Sequence, residues 1–250
     1  KPYYYVDKTL LIRDLLDKGG AVNLFTRPRR FGKTLMLTML KAFFECELDR
    51  DGNVVDNRWY FGDMKIWQAG EKYRREQGRY PVIFLSLKSA RQPDYSMAYH
   101  VLRETIVYEF ERHSYVLKGE QLTDAQKEKY KKMLTCAGDV GDYATSLQFL
   151  SKCLAAWHGR NVIILLDEYD VPLENAHFQG FYPQMIGFLR SFFESAMKTN
   201  ECLEFAVVTG CLRISKESIF TGLNNLMVVS VLTKDYAEYF GFTEGEALEM

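Results

Sequence analysis

The sequence predicts an α/β protein: three layers, with a central, mainly parallel five-stranded sheet covered by helices on both faces. Three observations predict it. Five short apolar runs, 21–26, 80–87, 161–166, 203–209 and 226–231, are separated by stretches with helical spacing. The run Asn161-Val162-Ile163-Ile164-Leu165-Leu166 does not alternate apolar with polar residues, as suits a parallel strand buried on both faces. The first run leads through a basic, glycine-containing loop directly into an apolar helical segment, the strand–loop–helix order of an α/β unit.

In chain order, Asp7 is positioned to cap a helix from about Lys8 to Lys18, and Gly19-Gly20 stops it. The strand 21–26 feeds the loop Arg27-Pro28-Arg29-Arg30-Phe31-Gly32-Lys33-Thr34 and a helix from Gly32 to about Glu45. Residues 48–57 form a polar loop; its Asp-Arg-Asp-Gly-Asn start suggests a calcium loop, but the twelfth position is Tyr60 where a bidentate glutamate is required. After the strand 80–87 the chain turns helical from about 89 to 159, an expected insertion between the second and third strands. Met97, Val101, Leu102, Thr105, Ile106 and Phe110 mark one apolar stripe there, and Tyr143, Leu147, Leu150, Leu154 and Trp157 a second; both read as core packing. Lys127 to Lys132 reads as a solvated helix face.

The chain has 250 residues, 47% hydrophobic and 26% charged, with formal net charge −1. This balance excludes a disordered chain and a globally basic nucleic-acid binder. Five scattered cysteines without a C-x-x-C pair argue against a zinc site or a disulfide framework and suit a reducing cytoplasm. No apolar run approaches the roughly 20 residues of a membrane span. The four histidines stand singly, and no hydrolase triad is legible. The chain reads as one domain over 1–250, expected to be a fragment of a longer protein because it opens on Lys1 and stops in helical sequence.

Chemistry concentrates in three segments. Gly32, Lys33 and Thr34 fill the last three positions of the Walker A rule G-x-x-x-x-G-K-[S/T], with Arg27 in the slot of the first glycine. The loop from Arg27 and Pro28 through Leu35, at a helix N-terminus, would cradle phosphate with its available backbone N–H groups, Lys33 reaching the β- and γ-phosphates and Thr34 holding Mg²⁺. About 130 residues on, the buried run ends in Asp167-Glu168, a Walker B pattern. Asp167 would hold Mg²⁺ opposite Thr34, and Glu168 would orient or deprotonate the attacking water. Asp170 is expected to pair with Arg29, Arg30 or Arg213, the alternative being a solvated carboxylate. Third, Thr209 at the end of the fourth strand has the position of a polar sensor of the γ-phosphate, and Arg213 that of an arginine sensor or finger, in cis or across an interface.

Together the segments RPRRFGKT (27–34), LLDEYDVPL (165–173), TGCLRISKESIFTGLNN (209–225), YFGFTE (239–244) and YYVDKT (4–9) resemble the bacterial AAA-ATPase-like family. The resemblance implies a P-loop NTPase sandwich of the additional-strand, catalytic-glutamate kind, with ATP and Mg²⁺ as cofactors. It also implies a nuclease-like domain beyond the C-terminus, and through it a link to nucleic acid. The expected function is Mg²⁺-dependent ATP hydrolysis that drives or regulates a partner domain, with a homo-oligomer as one form. The alternative is a regulatory or scaffold module with weak or no hydrolysis, motivated by Arg27. Tyr3, Tyr4 and Tyr5 are candidates to stack near the base.

Overall fold

The computed structural model describes residues 5–49, 53–212, 219, 220, 223 and 226–248. Helix α1 (Leu10–Lys18) precedes β1 (Val22–Thr26) and α2 (Lys33–Phe44); two single-turn helices, α3 (Lys65–Gln68) and α4 (Glu71–Arg74), lead to β2 (Val82–Ser86). Between β2 and β3 (Val162–Asp167) run α5 (Tyr95–Arg112), α6 (Asp124–Leu134), α7 (Val140–Ala144) and α8 (Ser146–His158). After β3 come α9 (Val171–Gln179), α10 (Tyr182–Met197), β4 (Leu203–Gly210), β5 (Leu226–Val229) and α11 (Glu244–Leu248).

The five strands form one all-parallel sheet in the order β2-β3-β4-β1-β5. All five stand where the apolar runs predict them, because such runs have nowhere to sit but between two layers. Strand residues point alternately to opposite faces. Val22, Leu24, Ile164, Leu166, Ala206 and Val208 join a core with α5, α6, α8 and α10. Phe25, Ile163, Leu165 and Val207 join a second core with α1 and α2. An α/β architecture with helices on both faces of a parallel sheet fits a P-loop-like fold. No helix among the described residues is long and apolar enough to cross a membrane.

Two local expectations shift. Helix α1 starts at Leu10, because Asp7 Oδ1 accepts hydrogen bonds from the backbone and hydroxyl of Thr9 (2.8 and 2.6 Å) and its Oδ2 from the N–H of Lys65 (2.6 Å). Asp7 thus ties the chain before α1 to α3 instead of capping α1 directly. On α5 the buried face runs through Ala98, Leu102, Ile106 and Phe110, and Met97 lies outside it, 49% exposed. A shift of one residue rotates a helix by about 100°, enough to move Met97 off the core.

Candidate functional site

The loop between β1 and α2 turns at two left-handed residues, Arg30 (φ 68°) and Gly32 (φ 76°). Gly32 has open space around it, so its requirement is conformational and not steric. Arg27 is not among the left-handed residues, which is why a side chain is tolerated where the Walker A rule has glycine. Its guanidinium turns away from the loop. It donates to the carbonyls of Thr26 (3.0 Å) and Val229 (2.8 Å) and lies 4.6 Å from the centre of the Phe240 ring. Arg27 is 3% exposed, and burial pulls its pKa down. Its backbone does serve the loop: the Lys33 ammonium donates to the carbonyls of Arg27 and Pro28 (3.0 Å each) and to Cys211 Sγ (3.4 Å).

The expected acids and hydroxyls converge. Asp167, at the end of β3, accepts from the Thr34 hydroxyl through Oδ2 (2.7 Å) and from the Thr209 hydroxyl through Oδ1 (2.6 Å). Asp167 and Thr209 are buried, at 2% and 0% exposure. β4 lies between β3 and β1, so parallel registry delivers Thr209 beside both neighbouring strand ends. Glu168 follows in a left-handed conformation (φ 53°), half-buried and lining the same cavity as Lys33 and Thr34. A non-glycine residue held there stores strain of about 1–3 kcal/mol, a recurrent feature of functional sites.

Among the described residues, Asp170 takes none of the expected arginines. It pairs with neither Arg29 nor Arg30; Oδ2 accepts the backbone N–H groups of Cys211 (2.8 Å) and Leu212 (2.7 Å). Burial raises its pKa, while those two N–H groups and Lys33 oppose the rise. It thereby fastens the chain after β4 to the turn after β3. Arg29 instead pairs with Glu174 on α9 (3.4 Å). Arg213, Tyr3 and Tyr4 lie outside the described residues.

Gly210 seals this junction. A Cβ there would stand 2.5 Å from Tyr169 Cε1 and 2.7 Å from Asp170 Oδ1. Tyr169 is fully buried and donates to the Leu212 carbonyl (2.7 Å), so neither neighbour can retreat freely. Gly210→Ala should lower stability by about 1–3 kcal/mol, read as a lower urea midpoint at unchanged slope; an unchanged midpoint would show that the junction yields.

The cavity over the loop has a volume of about 620 Å³. Arg29, Arg30, Gly32, Lys33, Thr34 and Leu35 line it; Arg27, Pro28 and Phe31 do not. Sequence motifs missed four further lining residues: Lys88 and Arg91 after β2, Glu174 on α9, and Cys211. Lys88 and Arg91 lack any motif; the one signal that could have found them is the rule that ligands sit beyond the carboxyl ends of parallel strands. A second cleft of about 180 Å³ adjoins, sharing Arg30, Gly32 and Leu35 and lined also by Tyr5, Phe31, Met39 and Phe242.

The family model described as Predicted AAA-ATPase matches residues 1–220. The chain belongs to the AAA-ATPase-like family. Membership points to an ATP-binding domain and accords with a cavity lined by Lys33, Thr34 and Glu168. This AAA-ATPase-like chain is also 28% identical over 243 residues to the "Uncharacterized protein in vnfD 5'region" of Azotobacter chroococcum mcd 1. That alignment covers 97% of this chain and 40% of the relative, so the chain spans well under half the length of the protein it matches. No solved structure matches it.

Proposed function

We propose that this AAA-ATPase-like chain is a Mg²⁺-dependent ATPase domain of the additional-strand, catalytic-glutamate kind, the helices between β2 and β3 being its insertion. The observation that carries the reading is the pair of hydrogen bonds on Asp167, 2.7 Å from Thr34 and 2.6 Å from Thr209. Three segments far apart in sequence meet on one buried carboxylate, beside Lys33 and Glu168. A strand merely ending in solvent-facing acids would not bury Asp167 or enlist both hydroxyls.

The roles follow from position. Lys33 and the N–H groups at the start of α2 bind the β- and γ-phosphates. Thr34 and Asp167 supply a hydroxyl and a carboxylate oxygen side by side, the hard donors Mg²⁺ prefers, and so fit the ion. Bound there, Mg²⁺ would offset phosphate charge. Glu168 takes a proton from, or aligns, the water that attacks the γ-phosphorus. Thr209 orients Asp167, and in the γ-phosphate sensor role it would pass on what binds there. Arg213 is proposed as a further sensor. The adjoining cleft offers the base aromatic and aliphatic walls in Tyr5, Phe31, Met39 and Phe242. In a longer protein, hydrolysis would drive or regulate a partner domain, a nuclease-like one acting on nucleic acid by the resemblance, in the cytoplasm and with self-association as one form.

The test is calorimetric titration with ATP and with ADP in the presence of Mg²⁺, with phosphate release followed in parallel. Wild type is expected to bind both and release phosphate. Lys33→Ala should weaken ATP binding by roughly tenfold or more, since it removes charge-assisted bonds to phosphate. Wild-type protein that binds neither nucleotide would overturn the proposal.

A further inference from the structure

The cavity over the loop has a second basic wall that belongs to none of the nucleotide-binding motifs. Lys88 opens the 3-10 turn Lys88–Ala90 that follows β2, and Arg91 comes directly after it. β2 is the edge strand of the sheet, separated from β1 by β3 and β4. The cavity nevertheless reaches from Lys33 on one side to Lys88 and Arg91 on the other.

Glu174 on α9 joins the two walls. Its Oε2 accepts from Arg91 Nη2 at 2.8 Å and from Arg29 Nη2 at 3.4 Å. One carboxylate oxygen therefore holds a guanidinium from the motif loop and a guanidinium from the turn after β2. Five cationic side chains line the cavity against three carboxylates. Of those three, Asp170 is committed to the N–H groups of Cys211 and Leu212, and Glu168 is the residue assigned to the attacking water. Glu174 is the one whose partners are both phosphate-type ligands. Arg91 and Arg29 are 52% and 65% exposed as side chains, and ion pairs that open to solvent contribute little to holding a fold. A guanidinium exchanges a carboxylate for phosphoryl oxygens readily, because both accept its planar fork of donors.

We infer that Arg91, supported by Lys88, is a phosphate-binding residue supplied in cis from the turn after β2, that it contacts the terminal phosphate of a nucleoside triphosphate, and that Glu174 is its internal stand-in for that phosphate. This rests on the nucleotide reading of the same cavity and extends it to the group that distinguishes a triphosphate from a diphosphate. The far wall is supplied by a segment outside the loop. Lys33 and the α2 N-terminus reach the β- and γ-phosphates alike, whereas Arg91 adds a contact to the γ-phosphate alone, so its loss is felt by the third phosphate.

The experiment is titration of the whole chain with ATP and ADP, each with Mg²⁺, for wild type, Arg91→Ala, Glu174→Gln and the double variant. Arg91→Ala should weaken ATP binding by about tenfold and change ADP binding by less than about twofold. Glu174→Gln should tighten ATP binding by about threefold, and that gain should disappear in the Arg91→Ala background, the non-additivity expected of a competing pair. Thermal melts should be unchanged, since both side chains sit at the cavity mouth. Equal weakening of ATP and ADP by Arg91→Ala, or no weakening, overturns the inference while leaving the nucleotide reading intact. Wild-type protein that binds no nucleotide overturns both.

Discussion

Glu168→Gln is expected to lower ATP hydrolysis by about two to four orders of magnitude while leaving ATP affinity within about twofold, the range a positioned general base contributes. The two side chains have the same shape, so the substitution removes the negative charge and the proton-accepting oxygen and little else. Glu168 sits directly after the buried end of β3 in a left-handed turn, facing the cavity that Lys33 and Thr34 also line. None of the contacts of Asp167 with Thr34 and Thr209 passes through it. Binding and turnover should therefore separate cleanly: calorimetry sees ATP bound, and a phosphate-release assay sees almost no product. Residual hydrolysis above about a tenth of wild type would remove Glu168 from the chemistry, because general-base catalysis contributes at least a hundredfold.

Arg27→Gly is expected to destabilise the protein by about 2–4 kcal/mol, although it restores the residue the phosphate-loop rule prescribes. The substitution removes hydrogen bonds to the carbonyls of Thr26 and Val229 and the stacking on Phe240. It also leaves a space between β1, β5 and the segment after β5, and adds backbone freedom to the unfolded chain. Relief of the cost of burying a guanidinium offsets part of this loss. Urea denaturation gives the measurement, and Arg27→Met should lose less, because it keeps the apolar volume over Phe240. An unchanged midpoint for Arg27→Gly would mean that the guanidinium contributes nothing net.

The resemblance segments that flank Arg27 and Phe240 gain a physical link from this contact. RPRRFGKT and YFGFTE are some 200 positions apart, yet the first residue of one lies over the second residue of the other. Phe31 and Gly241 add a second tie, since the Gly241 N–H donates to the Phe31 carbonyl (3.3 Å). The loop between β1 and α2 is thus fastened beneath to β5 and the segment after it. On its other flank, Asp170 fastens the end of β4 to the turn after β3.

Much of this was legible from residue order. A parallel strand covered on both faces must be apolar throughout, so Ile163 to Leu166 announce themselves without any partner being known. Lys33-Thr34 and Asp167-Glu168 are legible because the proposed chemistry needs fixed residue types at the end of a strand. Met97 and the start of α1 were misplaced by one or two residues, since periodicity marks a face better than its edges, and a side chain such as Asp7 can cap a turn from outside it.

What the sequence by itself determined is the class of the fold, the five strands and the residues proposed to meet phosphate and Mg²⁺. The tertiary structure alone decided the rest. It decided that Arg27 points into a packed junction and away from the cavity, that Asp170 binds backbone N–H groups and neither Arg29 nor Arg30, and that Lys88, Arg91 and Glu174 share the loop's cavity. The physical reason is the same in each case. A strand or loop motif is specified by neighbours in the chain, whereas the partner of a long charged side chain is chosen by what the folded sheet order brings within about 3 Å of it.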